Sequence, residues 1–209
     1  GLTATFMAKP YAELSGSGMH VHVSLADDTN ENLFAGNGDD LTPHLAHAIG
    51  GLEATMGESM AFFAPNANSY RRFRPNSYAP LAPAWAVDNR SVPLRVTSGR
   101  PETRHLEHRV CGADANPYVA LAVVLAGIAE GLEKKIAPSA PVTGDGYGKM
   151  KPTLPANWWK AIETARNSAF AHERLGEFAK IFLTIKEAEC DRFFAAIGST
   201  DIEWYLRNV

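Results

Sequence analysis

Apolar and polar positions alternate first over residues 19–25, where Met19, Val21, Val23 and Leu25 interleave with His20, His22 and Ser24. A period of two predicts a strand with one apolar face and one polar face, the polar face carrying two imidazoles. Ser15, Gly16, Ser17 and Gly18 lead into it as a tight turn, and Asp27, Asp28, Asn30 and Asn32 lead out as a polar loop. Over 42–64 the period changes. Leu45, Ile49, Leu52, Met56 and Met60 recur at helical spacing, Thr42 is a capping residue and Pro43 occupies the first helical position, which predicts a core-facing helix.

From 65 to 109 the texture shifts to short strand-like pieces with eight arginines: Arg71, Arg72, Arg74, Arg90, Arg95, Arg100, Arg104 and Arg109. Within it, 104–110 alternates again, with Leu106, His108 and Val110 on one face and His105, Glu107 and Arg109 on the other. Asn116 and Pro117 open a helix over 116–135, whose Lys134 and Lys135 suit the negative end of its dipole. Four prolines and three glycines crowd 137–155, predicting a long ordered loop. The stretch 156–197 is read as helical, with Trp158, Trp159, Phe178, Phe182, Phe193 and Phe194 as its packing face. Together these elements predict an α+β fold in which a mostly antiparallel sheet carries a polar site face and the helices pack behind it.

Composition narrows the function classes. With 209 residues, 45% hydrophobic and 21% charged, the chain belongs among folded globular proteins, as one domain or a piece of a larger enzyme. Twenty basic residues are scattered against 23 acidic ones for a net charge of −3, so no stripe is available to neutralise a nucleic acid backbone. The longest apolar run, 119–129, is too short to span a bilayer, and no charged leader precedes an apolar core at the N-terminus. Cys111 and Cys190 are far apart and form no metal-spaced pair. A cytoplasmic protein with small-molecule partners, and neither nucleic acid nor membrane, is the expectation.

Common nucleotide motifs fail. Gly16, Ser17 and Gly18 lack the third glycine of a dinucleotide fingerprint, and Gly148-Lys149 lacks P-loop spacing. Taken singly, His20 and His22 read also as a solvated strand face, the arginines as ordinary surface, and Glu107 with Arg109 as an ion-paired strand face. Taken together they suit a hard divalent cation, which takes carboxylate oxygen and tolerates imidazole, beside a phosphate met by arginine.

The run Lys9-Pro10 followed by Gly16-Ser17-Gly18-Met19-His20-Val21-His22-Val23-Ser24-Leu25 resembles the ATP-binding signature of the glutamine synthetase family. Asn68-Ser69-Tyr70-Arg71-Arg72, Ala79-Pro80, Asn89-Arg90-Ser91 with Arg95, Leu106-Glu107-His108-Arg109 and Asp114-Ala115-Asn116-Pro117-Tyr118 repeat that family's order. The resemblance implies an ATP-dependent carbon–nitrogen ligase that phosphorylates the γ-carboxylate of glutamate and lets an amine attack the γ-glutamyl phosphate. It implies that His20 and Glu107 ligate Mg2+ or Mn2+, and that His22, Ser24, Arg90 and Arg95 bind ATP. Gly16, Arg72, Tyr78 and Arg109 then bind substrate, with Arg72, Arg90 and Arg109 as the catalytic group. Phosphoryl transfer spreads charge over several oxygens, and arginine suits a bidentate grip on them.

Two departures qualify the resemblance. The family's earlier metal carboxylates and small N-terminal domain precede the histidine block, so 1–209 is read as the C-terminal part of the catalytic domain, inactive alone, from a chain expected to form a homo-oligomer. The block 98–104 is also short, leaving its basic position open between Arg100 and Arg104. Moreover, Tyr78 stands before Ala79-Pro80 where glutamine synthetases proper carry a glutamate that holds ammonium. Without a carboxylate an ammonium ion is poorly held, whereas an aromatic ring packs an alkyl chain or faces its cation. This implies the γ-glutamylpolyamine or γ-glutamylputrescine synthetase branch, with an amine such as putrescine as nucleophile. The other readings are ordinary glutamine synthetase and a non-catalytic relative kept for assembly.

Overall fold

Thr42 caps the first helix through its hydroxyl, which accepts from Leu45 N at 3.2 Å and donates to Leu33 O at 2.7 Å, so the helix start is tied to the preceding loop. In the computed structural model, which describes residues 1–36, 40–74, 77 and 79–207, this helix is α1, Pro43–Phe63. It is apolar on most of its circumference and runs through the core. Its buried hydroxyls bond within the helix, Thr55 to Gly51 O at 2.9 Å and Ser59 to Thr55 O at 2.8 Å, leaving no polar demand on the apolar neighbours.

The helix opened by Asn116 is α2, Pro117–Lys134, ending at Lys135 in the left-handed conformation (φ 52°). It lies against α1 with almost no side chains between them, because Gly51 faces Gly127 and Gly131 and a Cβ at Gly51 would clash with Gly127 O.

Four three-residue strands form one sheet: β1 Val21–Val23, β2 Trp85–Val87, β3 Leu94–Val96 and β4 Leu106–His108, in the order β1-β4-β3-β2. β4 pairs antiparallel with β1 and β3, while β3 and β2 run parallel, so the sheet is mixed within an α+β fold. The alternation over 19–25 holds its phase. Val21 is buried, Met19, Val23 and Leu25 pack partly on the core, and His20, His22 and Ser24 are exposed. The register sets His22 and Arg95 on either side of Glu107, a placement that neither strand encodes alone.

The expected helix over 156–197 is corrected to separate pieces: α4 Trp158–Arg166, α5 Ala169–Ala195 and, beyond it, α6 Ser199–Tyr205. Ser168 breaks the run by capping α5, accepting from Ala171 N at 2.9 Å, and Gly176 kinks α5 at a φ of 56° that only glycine takes cheaply. α5 packs Phe182 on Phe62 and clamps α2 through Arg174, which reaches Glu130 and Glu133 at 2.6 and 2.5 Å. The loop over 137–155 is ordered as expected apart from one helical turn, α3 Gly146–Lys149. Val142 N bonds Trp85 O at 2.9 Å, Thr153 N bonds Leu81 O at 2.9 Å, and Trp85 Nε1 bonds Ser139 O at 2.7 Å, which lays the loop along β2. No helix among the described residues is long and apolar enough to cross a membrane.

The helix contact yields a paired test. Gly51→Ala should destabilise the protein by about 2–3 kcal/mol through overpacking. Gly57→Ala, in the same helix with no atom near its new methyl, should stabilise it by about 0.5–1 kcal/mol. Chemical denaturation of the two variants measures both, and a loss at Gly57 matching that at Gly51 would refute the packing argument.

Candidate functional site

Glu107 points out of the middle strand of the sheet yet is almost wholly buried, at 3% exposure. Its Oε1 meets Arg109 Nη1 at 2.6 Å and His20 Nδ1 at 3.0 Å, with His22 Nε2 at 3.8 Å; its Oε2 meets Arg95 Nη1 at 2.9 Å. Arg109 follows Glu107 by two residues and shares its face, while Arg95 and His20 come from the flanking chains. Burial pushes the Glu107 carboxyl upward, but the bond from Arg95 and the charge and bond of Arg109 outweigh that and hold it below the usual carboxylate range. Burial pulls His20 down, helped by Arg109 and opposed by Glu107, so its imidazole favours the neutral, metal-ligating form. On the other face His108 is packed against Phe63 at 4.7 Å, and burial pushes it down to about 3, so it is a neutral core residue.

Arg95 has a second carboxylate. Its Nη2 lies 2.9 Å from Asp88 Oδ1, and Asp88 is tied by its N–H to Val96 O and by Ser98 N and Oγ to its Oδ2. Ser98 first, then Arg95, draws the Asp88 carboxyl below its ordinary range. Asp88 adopts a left-handed backbone (φ 45°), a conformation aspartate tolerates better than most residues. Beyond it opens a cleft of about 670 Å3 lined by Asp88, Arg90, Ser91, Arg95, Gly144 and Asp145. Its outer wall is the 137–155 loop, held by Gly146 N on Ser91 Oγ at 2.8 Å and Asn89 Nδ2 on Gly144 O at 2.7 Å.

A separate recess of about 270 Å3 lies beside the Ser15–Gly18 turn, with Lys9, Gly16, Arg71, Arg72 and Arg74 on its walls and Glu13 as the one carboxylate among its described lining residues. Arg72 is buried and Gly16 approaches it closely enough that a Cβ there would lie 2.7 Å from Arg72 Cγ. Among the described residues no carboxylate forms an ion pair with Arg72.

The expected site residues thus fall into three adjoining groups. His20, His22, Glu107, Arg95 and Arg109 form one network; Arg90 joins Arg95 along the cleft; Gly16 and Arg72 form the recess. Ser24 is exposed just past β1 on the histidine side. Tyr78, the expected amine contact, lies outside the described residues. Arg104 is buried while Arg100 is exposed, so the two candidates for that basic position occupy different environments. Asp88, His105 and Asp114 were missed by sequence reasoning. His105 bonds His22 at 2.9 Å, and Asp88 and Asp114 both stood inside or beside the matched blocks, but nothing in their spacing assigned them partners.

His20 and Glu107 offer one imidazole and one carboxylate, the donor chemistry that Mg2+ or Mn2+ accepts. Among the described residues no group of three or more His, Cys, Asp or Glu is arranged to hold a metal, so this pair is a partial donor set.

Comparison with known proteins matches residues 1–205 to the family model "Glutamine synthetase, catalytic domain". The chain is 38% identical over 206 residues to gamma-glutamylputrescine synthetase PuuA of Escherichia coli, covering 98% of this chain and 44% of that protein. It is 36% identical over 209 residues to gamma-glutamylethanolamide synthetase GlnA4 of Streptomyces coelicolor, covering 100% of this chain and 44% of the relative. The ligand-free structure of GmaS superposes with a TM-score of 0.87 at 29% identity, covering 97% of this chain and 48% of that one. The chain therefore spans about half the length of the relatives it matches.

Because the folded-state Glu107 carboxyl lies below its ordinary value near 4.5, its contribution to stability is present above that pH and is lost as pH falls toward the lower folded value. Glu107→Gln leaves Arg95 and Arg109 without their shared anion, so the variant should lose about 3 kcal/mol at pH 7. The gap from wild type should narrow below pH 4.5. Denaturation at pH 7 and at pH 3.5–4.5 measures it; a gap that widens on acidification would contradict the sign.

Proposed function

The chain belongs to the glutamine synthetase family, and from that premise we propose that the complete protein is a cytoplasmic, homo-oligomeric ligase joining glutamate to an amine at the expense of ATP. This chain is the C-terminal part of its catalytic domain, the small N-terminal domain and the earlier metal-ligand strands lying outside it. The observation that carries the reading is Glu107, one buried carboxylate gripped by Arg95, Arg109 and His20, with Arg95 also lining the cleft that holds Arg90 and with the arginine-rich recess of Arg72 nearby. Exposed apolar side chains on and around the ends of α5 and α6, such as Phe194, Ile197, Ile202 and Leu206, support association with further copies.

On this reading Arg90 and Arg95 hold the ATP phosphates in the cleft, with His22 and Ser24 alongside, while Gly16 and Arg72 hold glutamate in the recess. Arg109, on the Glu107 side of the cluster, faces the charge that develops as phosphate passes to the γ-carboxylate, where a preorganised cation stabilises most. His20 and Glu107 would ligate Mg2+ or Mn2+ with ligands from outside this chain, and the ion supplies further neutralisation of the phosphoryl oxygens. The resulting γ-glutamyl phosphate is then attacked by the amine.

The amine is an alkylamine such as putrescine. Tyr78 supports this by its place in the sequence, two residues before Pro80, because an aromatic ring there serves an alkyl chain and gives ammonium no anionic partner. Both relatives named above are named for γ-glutamyl amides of an amine, which supports the same branch.

Glutamate-dependent ADP release by the complete protein, assayed with ammonium, putrescine and ethanolamine in parallel, tests the reading. Turnover should be highest with an alkylamine, and the 209-residue chain alone should show none. Tyr78→Glu should shift the ratio of specificity constants toward ammonium by about tenfold, equivalent to about 1.4 kcal/mol of transition-state binding. A wild type that prefers ammonium over every amine would instead identify an ordinary glutamine synthetase.

A further inference from the structure

Arg72 lines the recess, and its guanidinium lies in a narrow track of backbone beside it. A Cβ at Gly18 would lie 2.9 Å from its Nη2 and one at Gly112 would lie 3.3 Å from its Nη1, so the guanidinium fits only where those glycines leave room. Its Cζ lies 5.4 Å from the centroid of the Phe73 ring, a cation–π contact. It donates one long hydrogen bond, from Nη1 to Val110 O at 3.3 Å.

Asp114 lies behind this group and grips the segment that carries it. Its Oδ2 accepts from Ser69 Oγ at 2.7 Å and from Asn66 Nδ2 at 2.8 Å; Ser69 opens the 3-10 turn Ser69–Arg72 and Asn66 lies three residues before it. The two donors also bond each other's segment, Ser69 N to Asn66 Oδ1 at 3.1 Å, so the turn is closed around the carboxylate. Asp114 Oδ1 is buried with no hydrogen-bond partner among the described residues and is packed where a Cβ on Gly112 would sit. An unpaired buried carboxylate oxygen is costly and persists only where surrounding structure imposes it. Burial weakens the protonated form of Arg72 and the charge of Asp114 sustains it, although the two groups form no direct ion pair.

We propose that Asp114 is the positioning residue for Arg72: through Ser69 and Asn66 it anchors the turn that holds the guanidinium between Gly18 and Gly112, beside the recess. Held back from direct pairing, Asp114 leaves the charge of Arg72 to an incoming carboxylate. The inference rests on the reading of Arg72 as the glutamate-binding group.

The test uses the complete protein. Asp114→Ala removes both accepted bonds, whereas Asp114→Asn keeps an oxygen for both donors while removing the charge and placing an amide NH2 where Oδ1 lies. Asp114→Ala should raise KM for glutamate by about tenfold while KM for ATP stays within about twofold, and Asp114→Asn should return the glutamate KM to within about threefold of wild type. A crystal structure of Asp114→Ala should show the Arg72 guanidinium displaced from its track. That structure decides the inference even if wild type proves inactive with glutamate, a result that would remove the proposed function instead. Should Asp114→Ala not fold, Ser69→Ala, which removes one of the two donors, carries the same measurements. An unmoved Arg72, an unchanged glutamate KM, parallel rises in both KM values, or an Asn variant as impaired as the Ala variant would each overturn the positioning role.

Discussion

A carboxylate buried in the middle of a small sheet stays ionised only where cations meet it, and Glu107 is met by two guanidinium groups and an imidazole. Most of the candidate site is arranged around that requirement. Arg109 comes from the same strand, Arg95 from one neighbour and His20 from the chain entering the other, so a single anion ties together every strand but β2. Asp88, from the end of β2, then takes Nη2 of Arg95 and extends the tie across the sheet. Strands of three residues supply few ladder bonds, and this charge network supplies cross-strand cohesion that their length does not.

The same network sets the chemistry on either side of it. With both oxygens of Glu107 engaged, Arg95 lines the cleft, while Arg72, with no carboxylate paired to it among the described residues, keeps its charge beside the recess. One guanidinium is thus balanced by fixed anions and the other by an anion held at a distance. That division suits a phosphate-bearing ligand on one side and a carboxylate on the other.

Behind the sheet, α1 and α2 form a platform in which small residues let two helices meet at backbone distance. The platform fixes where Phe63 and Pro65 end α1, and so where the Ser69–Arg72 turn begins. Phe63 also accepts the Gly112 N–H through its carbonyl at 3.0 Å, which brings the segment of Asp114 against that turn. Core packing and the recess are joined at this point.

Periodicity was enough to place the strand of His20 and His22 in correct phase, to find α1 and α2 with their caps, and to assign Glu107 and His108 to opposite faces, because each of these depends on residues adjacent in the chain. The quoted motif blocks carried the family. The partition of the C-terminal helices was less legible: Ser168 and Gly176 interrupt an aromatic pattern that reads as continuous, since a cap and a kink are decided by local hydrogen bonds rather than by hydrophobicity. The partners of Glu107, the second grip of Asp88 on Arg95 and the hold of Asp114 on the Arg72 turn were decided only by tertiary structure. Apart from the Glu107–Arg109 pair, each joins residues at least seven positions apart, up to 87 between His20 and Glu107. Local pattern specifies which face a side chain takes, but strand register and the meeting of loops decide which charge it finds there.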